Sequence, residues 1–129
     1  MNSKYLVATF ACIVALALPN LAHGAELSAT SRAEIQHLLT RLVSSDCQFN
    51  RNGSWYSAIE ARSHLLRKFD YLDKKNRLKT SEDFIELGAA KSSVSGQAYQ
   101  VKCANRNAVD SAVWLGDELA RYRQQQGGR

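Results

Sequence analysis

Two cysteines that lie far apart in the sequence constrain the fold of this chain most. Cys47 and Cys103 form no Cys-x-x-Cys motif, which argues against a redox-active pair. The third cysteine, Cys12, falls within an apolar amino-terminal run. In an oxidising compartment, the two that remain predict a structural disulfide. The fold must then place Cys47 beside Cys103, and closing so long a loop stabilises a domain by about 4 kcal/mol in the chain-entropy model.

The amino terminus predicts that the chain is exported. Lys4 is followed by an uncharged apolar run over residues 5–18, and Pro19 then leads into small residues. This order is typical of a secretory signal peptide. A membrane anchor is the alternative, but a spanning helix needs about 20 apolar residues and this run is shorter. We therefore expect cleavage after residue 24, with residue 25 as the alternative. We also expect a periplasmic or secreted location, no transmembrane segment after cleavage, and one globular domain over residues 25–129.

Charge and histidine content narrow the classes of function. The net charge is +5 at pH 7, and the longest basic run is the pair Lys74-Lys75. Nucleic-acid-binding proteins usually carry a basic cluster or stripe, so we expect no nucleic-acid partner. Beyond the amino-terminal segment the histidines are His37 and His64, and no clustered ligand spacing surrounds them. We therefore predict no metal site and no cofactor.

Apolar residues recur at helical spacing in several stretches of the chain. The first predicted helix begins after Ser28 or Ser31, either of which suits the N-cap position. Its apolar face consists of Ile35, Leu38, Leu39, Leu42 and Val43. The second predicted helix covers residues 55–72, and Ser54 is its predicted N-cap.

Two further helices are predicted nearer the carboxyl end. Thr80 suits the N-cap of the third, which we expect to be short and to end near residue 90, because Gly88 disfavours helix. The fourth begins after Asp110 or Ser111. Its end is expected to fray from about residue 124, where polar residues and glycines follow.

Two short stretches alternate in the manner of β-strands. In residues 47–49, Cys47 and Phe49 point to the same face. In residues 99–103, the residues on one face are Tyr99, Val101 and Cys103. Pairing the two strands brings the cysteines within bridging distance. The Asn52-Gly53 turn can close a β-hairpin, but no strand pattern follows it. The predicted fold is mainly α (α+β): about four helices around one core, with a small two-stranded β element stapled by a disulfide.

Four stretches of the sequence resemble a known family. They are Phe49-Asn50-Arg51-Asn52-Gly53, Glu60-Ala61-Arg62-Ser63-His64-Leu65, Thr80-Ser81-Glu82-Asp83-Phe84-Ile85 and Ser92-Ser93-Val94-Ser95-Gly96-Gln97-Ala98-Tyr99. In this order they are similar to the YfeK-like family of small exported bacterial proteins, over roughly residues 35–102. The resemblance implies export to a Gram-negative periplasm and a single shared domain. The family is one of unknown function, so the resemblance assigns no catalytic or ligand-binding residue.

A polar cluster forms the candidate site, and its chemistry favours anions. Its predicted ligand-binding residues are Arg51, Asn52, Gly53, His64, Lys68, Ser92, Ser93, Ser95 and Tyr99. A helix start at Ser54 would offer free N–H groups, and Arg51 would add a bidentate fork for carboxylate or phosphate. In the structural alternative, Arg51 pairs with Asp46 or Glu60 and the serines only cap a loop.

Three functions are compatible with these residues. The leading hypothesis is a non-enzymatic binding or accessory module of the cell envelope, with an anionic envelope component or another periplasmic protein as partner. The alternative is a small envelope hydrolase using Ser93 and His64, oriented by Glu60, although no Gly-x-Ser-x-Gly nucleophile elbow occurs. The third is an interaction protein with an apolar patch near Trp55 and Trp114.

Overall fold

The computed structural model describes residues 26–128, in which helices surround one core beside an antiparallel sheet. The elements are α1 (Ala29–Ser44), β1 (Cys47–Arg51), β2 (Ser54–Tyr56), α2 (Ala58–Lys74), α3 (Ser81–Phe84) with a π-helical extension (Ile85–Ala89), β3 (Gln100–Cys103), β4 (Val109–Asp110) and α4 (Ser111–Gly127). The predicted signal peptide, residues 1–24, lies outside the described residues. Within residues 26–128, no helix combines the length and apolar character needed to cross a membrane.

Helix α1 forms as its apolar spacing predicts. Ser28 is the N-cap, because its side chain accepts a hydrogen bond from the Ser31 backbone N–H at 3.0 Å. The predicted apolar face is buried at Ile35, Leu38, Leu39 and Leu42, whereas Val43 is exposed. The core therefore takes a narrower stripe of α1 than the sequence predicts.

The sheet has four strands in the order β2-β1-β3-β4, so the prediction of a two-stranded element was wrong. Strand β2 is three residues long and mostly exposed, and both residues of β4 are exposed. An edge strand with no buried face carries no apolar alternation. These strands exist because they hydrogen-bond to β1 and β3, a reason that periodicity does not reveal.

Asn52 and Gly53 close the β1–β2 hairpin. Their φ angles are 52° and 84°, as a type I′ hairpin turn requires, and Arg51 pairs with Ser54 across it. The prediction of Ser54 as an N-cap was therefore wrong. Ser57 caps α2 instead, in a capping box with Glu60.

The predicted disulfide between Cys47 and Cys103 is present, and it joins β1 to β3. The two residues are directly opposite in the antiparallel register. Phe49 and Val101 form another pair in the same ladder, and both are buried in the core. The disulfide thus fixes β1, which ends at Arg51, against its neighbour β3.

The third and fourth helices begin close to their predicted positions. Thr80 caps α3 in a capping box with Asp83, and the π-helical extension ends at Ala89. A Cβ atom on Gly88 would lie 3.1 Å from two ring atoms of the fully buried Phe84, so the small residue permits a close approach. Helix α4 continues to Gly127, past the position where fraying was expected to begin.

Candidate functional site

Four of the predicted site residues meet in one hydrogen-bonded chain. Arg51 ends β1, His64 and Lys68 lie one turn apart on α2, and Tyr99 immediately precedes β3. Arg51 Nη1 lies 2.8 Å from His64 Nδ1, and His64 Nε2 lies 3.0 Å from the Tyr99 hydroxyl oxygen. Lys68 Nζ donates to the same oxygen at 3.3 Å and to the Lys91 carbonyl oxygen at 3.0 Å.

The donor and acceptor roles along this series of hydrogen bonds determine the His64 tautomer. A guanidinium group has only donors, so His64 Nδ1 accepts from Arg51 and the hydrogen of the neutral ring is on Nε2. That N–H donates to Tyr99, whose oxygen also accepts from Lys68. The Tyr99 residue is 6% exposed, and its own O–H finds no acceptor among residues 26–128.

Charge and burial keep His64 neutral. Burial, together with the nearby charges of Arg51, Lys68 and Arg67, lowers the pKa of His64 to about 4. Burial also lowers the pKa of Lys68, with a further contribution from Arg51. The pKa of Tyr99 is raised by burial, so its hydroxyl keeps its proton at neutral pH. The cluster therefore contains cations and neutral donors.

Arg51 pairs with neither of the carboxylates named in the structural alternative. The Glu60 carboxylate accepts hydrogen bonds from the Ser57 backbone N–H and hydroxyl, both at 2.9 Å. Within the described chain, no ion pair involves Arg51, and its Nε and Nη2 atoms have no hydrogen-bond partner. Its guanidinium carbon lies 4.9 Å from the centroid of the Tyr56 ring, which holds the group over an aromatic face.

Two neighbouring cavities meet at this cluster, which we call the cationic cluster (Arg51, His64, Arg67, Lys68 and Tyr99). The first cavity, of about 330 Å³, is lined by Arg51 and Tyr99 together with apolar side chains. The second, of about 450 Å³, is lined by Lys68 and Ser93 among others. His64 and Arg67 line both cavities. The cluster is therefore reachable from two sides.

The remaining predicted site residues have structural contacts. Ser92 is buried, and its hydroxyl accepts from the Val94 and Ser95 backbone N–H groups at 3.3 and 3.2 Å. The Ser95 hydroxyl donates to Asn52 Oδ1 at 2.5 Å. Asn52 also donates to Ser92 at 3.5 Å. These three residues join the hairpin turn, which includes Gly53, to the loop before β3, and within residues 26–128 none of them hydrogen-bonds to a side chain of His64, Lys68 or Tyr99.

Two residues of the site, Arg67 and Tyr56, were not predicted from the sequence, and the helix start predicted at Ser54 was wrong. Arg67 lines both cavities, and Tyr56 lines the first and supports Arg51. Arg67 falls within the second predicted helix, one turn after His64, so helical spacing could have found it, whereas Tyr56 lies in β2, a strand that the sequence did not predict. The anion site predicted at a helix start at Ser54 falls for the same reason, because Ser54 is in a strand. Ser93 lines the second cavity, but no hydrogen bond joins it to His64 in residues 26–128.

The fold and the site define a small disulfide-linked α+β domain with a cationic cavity. By its sequence, the chain belongs to the family of unknown function DUF5329, whose model matches residues 29–123. It is similar to the uncharacterized protein YfeK of Salmonella typhimurium, with 36% identity over 89 residues, which cover 68% of this chain and 72% of that protein. These matches confirm the predicted resemblance. No solved structure matches the chain.

We expect His64 to titrate near pH 4 in the folded protein and near pH 6.5 in the urea-unfolded chain. Because the folded pKa is the lower one, the unfolded chain binds more protons between these values. The stability contributed by neutral His64 is therefore complete above about pH 6.5 and is lost as the pH falls towards 4. Long-range ¹H–¹⁵N NMR spectra of the imidazole, recorded against pH, measure both the pKa and the Nε2–H tautomer.

A pair of arginine variants makes this measurement specific. Arg51→Gln removes a charge that lowers the pKa of His64, so the midpoint should rise. Arg62→Gln removes a charge from the same helix that is not among the causes of the shift, so it should leave the midpoint unchanged. A folded midpoint near 6.5 in the unmodified protein would contradict the burial and the charge environment described for His64.

Proposed function

We propose that this protein is an exported, non-enzymatic binding module of the cell envelope that holds an anionic ligand at the cationic cluster. The observation that carries the proposal is the free side of Arg51. Its Nε and Nη2 atoms have no partner among residues 26–128, although the group lines a cavity. These free N–H groups can donate a bidentate pair of hydrogen bonds to a carboxylate or phosphate, which would also supply the negative charge that Arg51 lacks within the described chain.

The other groups of the cluster support the same ligand charge. Lys68 carries an ammonium group, and the Tyr99 O–H is a buried donor without an acceptor in the described chain. Neutral His64 already donates its N–H to Tyr99 and accepts from Arg51. The cluster thus presents donors and positive charge, and an acceptor-rich anion is the chemistry that complements both.

Export of the module is supported by two separate features. The order of charge, apolar run and small residues over residues 1–24 is typical of a cleaved signal peptide. The Cys47–Cys103 disulfide suits an oxidising compartment such as the periplasm. An anionic component of the envelope is therefore the proposed partner class, with residues 25–129 as the domain that binds it.

Titration of the purified protein with inorganic phosphate, followed in ¹H–¹⁵N spectra, tests the proposal. We expect saturable shifts at residues of the cationic cluster. Arg51→Gln should weaken phosphate binding by at least about tenfold, because a charge-assisted hydrogen bond is worth roughly 1.5–3 kcal/mol. Arg62→Gln, at a position that lines neither cavity, is the matched control and should bind as the unmodified protein does.

Two results would refute anion binding at this cluster. One is the absence of saturable phosphate-dependent shifts in the folded protein. The other is equal phosphate affinity of the Arg51→Gln and Arg62→Gln variants, which would leave only a general effect of positive charge. Urea unfolding of both variants would confirm that each retains its fold.

A further inference from the structure

The first cavity, beside Arg51, is lined by apolar side chains as well as by charged ones. Its apolar wall consists of Phe49, Tyr56, Ile59, Ala61 and Leu65. Leu65 and Phe49 belong to the core, whereas Ile59 is 67% exposed at the first turn of α2. Its volume of about 330 Å³ lies at the lower end of the range of small-molecule sites. The cavity therefore combines an unpaired guanidinium with an apolar wall.

The two cavities differ in the charged residues that line them. Arg51 lines only the first cavity, and Lys68 and Arg77 line only the second. Lys68 already donates to a carbonyl and a hydroxyl oxygen, so less of its hydrogen-bonding capacity is free than that of Arg51. Glu60 also lines the first cavity, but the capping box holds its carboxylate on Ser57.

From this arrangement we infer that the first cavity binds a small amphipathic anion, in which a carboxylate or phosphate head is joined to an aromatic or short aliphatic body. The head lies against Arg51, with Arg67 and the Tyr99 O–H nearby. The body lies against Ile59 and the exposed edges of the core residues. The inference rests on the proposed anion binding and adds the requirement for an apolar body. A compact polyanion spanning both cavities is the contrasting occupant.

A ligand series tests the inference directly by isothermal titration calorimetry. The probes are inorganic phosphate, phenyl phosphate, acetate, benzoate, benzyl alcohol and tripolyphosphate. We expect phenyl phosphate to bind at least about tenfold more tightly than inorganic phosphate, and benzoate to exceed acetate similarly, because the ring buries apolar surface. Benzyl alcohol, which lacks the anionic head, should bind more weakly than either aromatic anion. Comparing the two aromatic anions identifies the preferred head.

Two variants locate the contribution of the apolar body. Ile59→Ser should weaken phenyl phosphate binding at least about threefold while leaving inorganic phosphate unchanged, since Ile59 is an apolar part of the wall. Val113→Ser is the matched control, because Val113 is similarly exposed at 56% and lines neither cavity. Both substitutions are at exposed positions, so both variants should fold.

The outcomes distinguish this inference from the proposed function. If phosphate and phenyl phosphate bind equally and Arg51→Gln weakens both, anion binding stands and the amphipathic ligand class is refuted. Tighter binding of tripolyphosphate than of phenyl phosphate would also refute it, in favour of a polyanion. If no anion binds, both proposals fail. Equal effects of Ile59→Ser and Val113→Ser on phenyl phosphate would remove the assigned role of the apolar wall.

Discussion

Loss of the Cys47–Cys103 disulfide is expected to lower the free energy of unfolding by about 4 kcal/mol, because the bond closes a loop across a sequence separation of 56 residues. Small domains have a total stability of only about 5–15 kcal/mol. The disulfide therefore contributes a large share of the total stability of the domain. Urea unfolding of the oxidised protein and of the Cys47→Ala/Cys103→Ala variant measures the difference.

Chemical reduction provides the control for this prediction. A reductant should shift the urea midpoint of the unmodified protein towards that of the double-alanine variant. The same reductant should leave the variant itself unchanged, since Cys47 and Cys103 are the cysteines of residues 26–128. The free energy of unfolding of the oxidised protein is compared with that of the double-alanine variant and with that of the reduced protein. A difference below about 1 kcal/mol in both cases would show that the loop is already restricted in the unfolded chain, contrary to the chain-entropy argument.

Arg123→Ala is expected to destabilise the protein by about 3 kcal/mol at pH 7, because it leaves a buried carboxylate without its cation. Arg123 binds Glu34 of α1 through two hydrogen bonds, from Nε at 2.8 Å and from Nη2 at 2.9 Å. Glu34 is 5% exposed and also accepts from the fully buried Ser81 hydroxyl of α3. The guanidinium is itself partly exposed, which places the expected loss at the low end for a broken buried pair.

Helix α4 supplies a matched control for Arg123. Arg121 also binds a buried carboxylate, that of Glu118, but Glu118 keeps a second partner in Arg41 at 3.2 Å. Arg121→Ala should therefore cost less than about 1 kcal/mol. Equal losses of stability in the two variants, measured by urea unfolding, would contradict the distinction between a carboxylate that keeps a cation and one that does not.

The Arg123 contribution should also depend on pH. The hydrogen bonds from Arg123 are the main cause that lowers the pKa of Glu34 below its ordinary value of 4.5, with Ser81 adding to them and burial opposing them. Because the folded pKa is lowered, this stabilisation is complete above about pH 4.5 and is lost as the pH falls through the folded pKa. The difference between unmodified protein and Arg123→Ala should therefore shrink at pH 3.

The candidate site shows how far local sequence signals reach. His64 and Lys68 share a helix face because they are four residues apart, and the sequence alone predicts that. Their meeting with Arg51 and Tyr99 spans separations of 13 and 35 residues from His64. These contacts depend on the β1–β2 hairpin, after which α2 begins at Ala58, and on the pairing of β1 with β3.

What the sequence by itself determined is local or covalent. Helix α1 follows from its apolar spacing, α3 from the cap at Thr80, and the β1–β3 pairing from the two cysteines that it joins. The tertiary structure alone decided the edge strands β2 and β4 and the unpaired side of Arg51. The physical reason is that an exposed edge strand is held by backbone hydrogen bonds to its neighbour, and a cation's partners are set by residues brought together in space; neither leaves a periodic pattern along the chain.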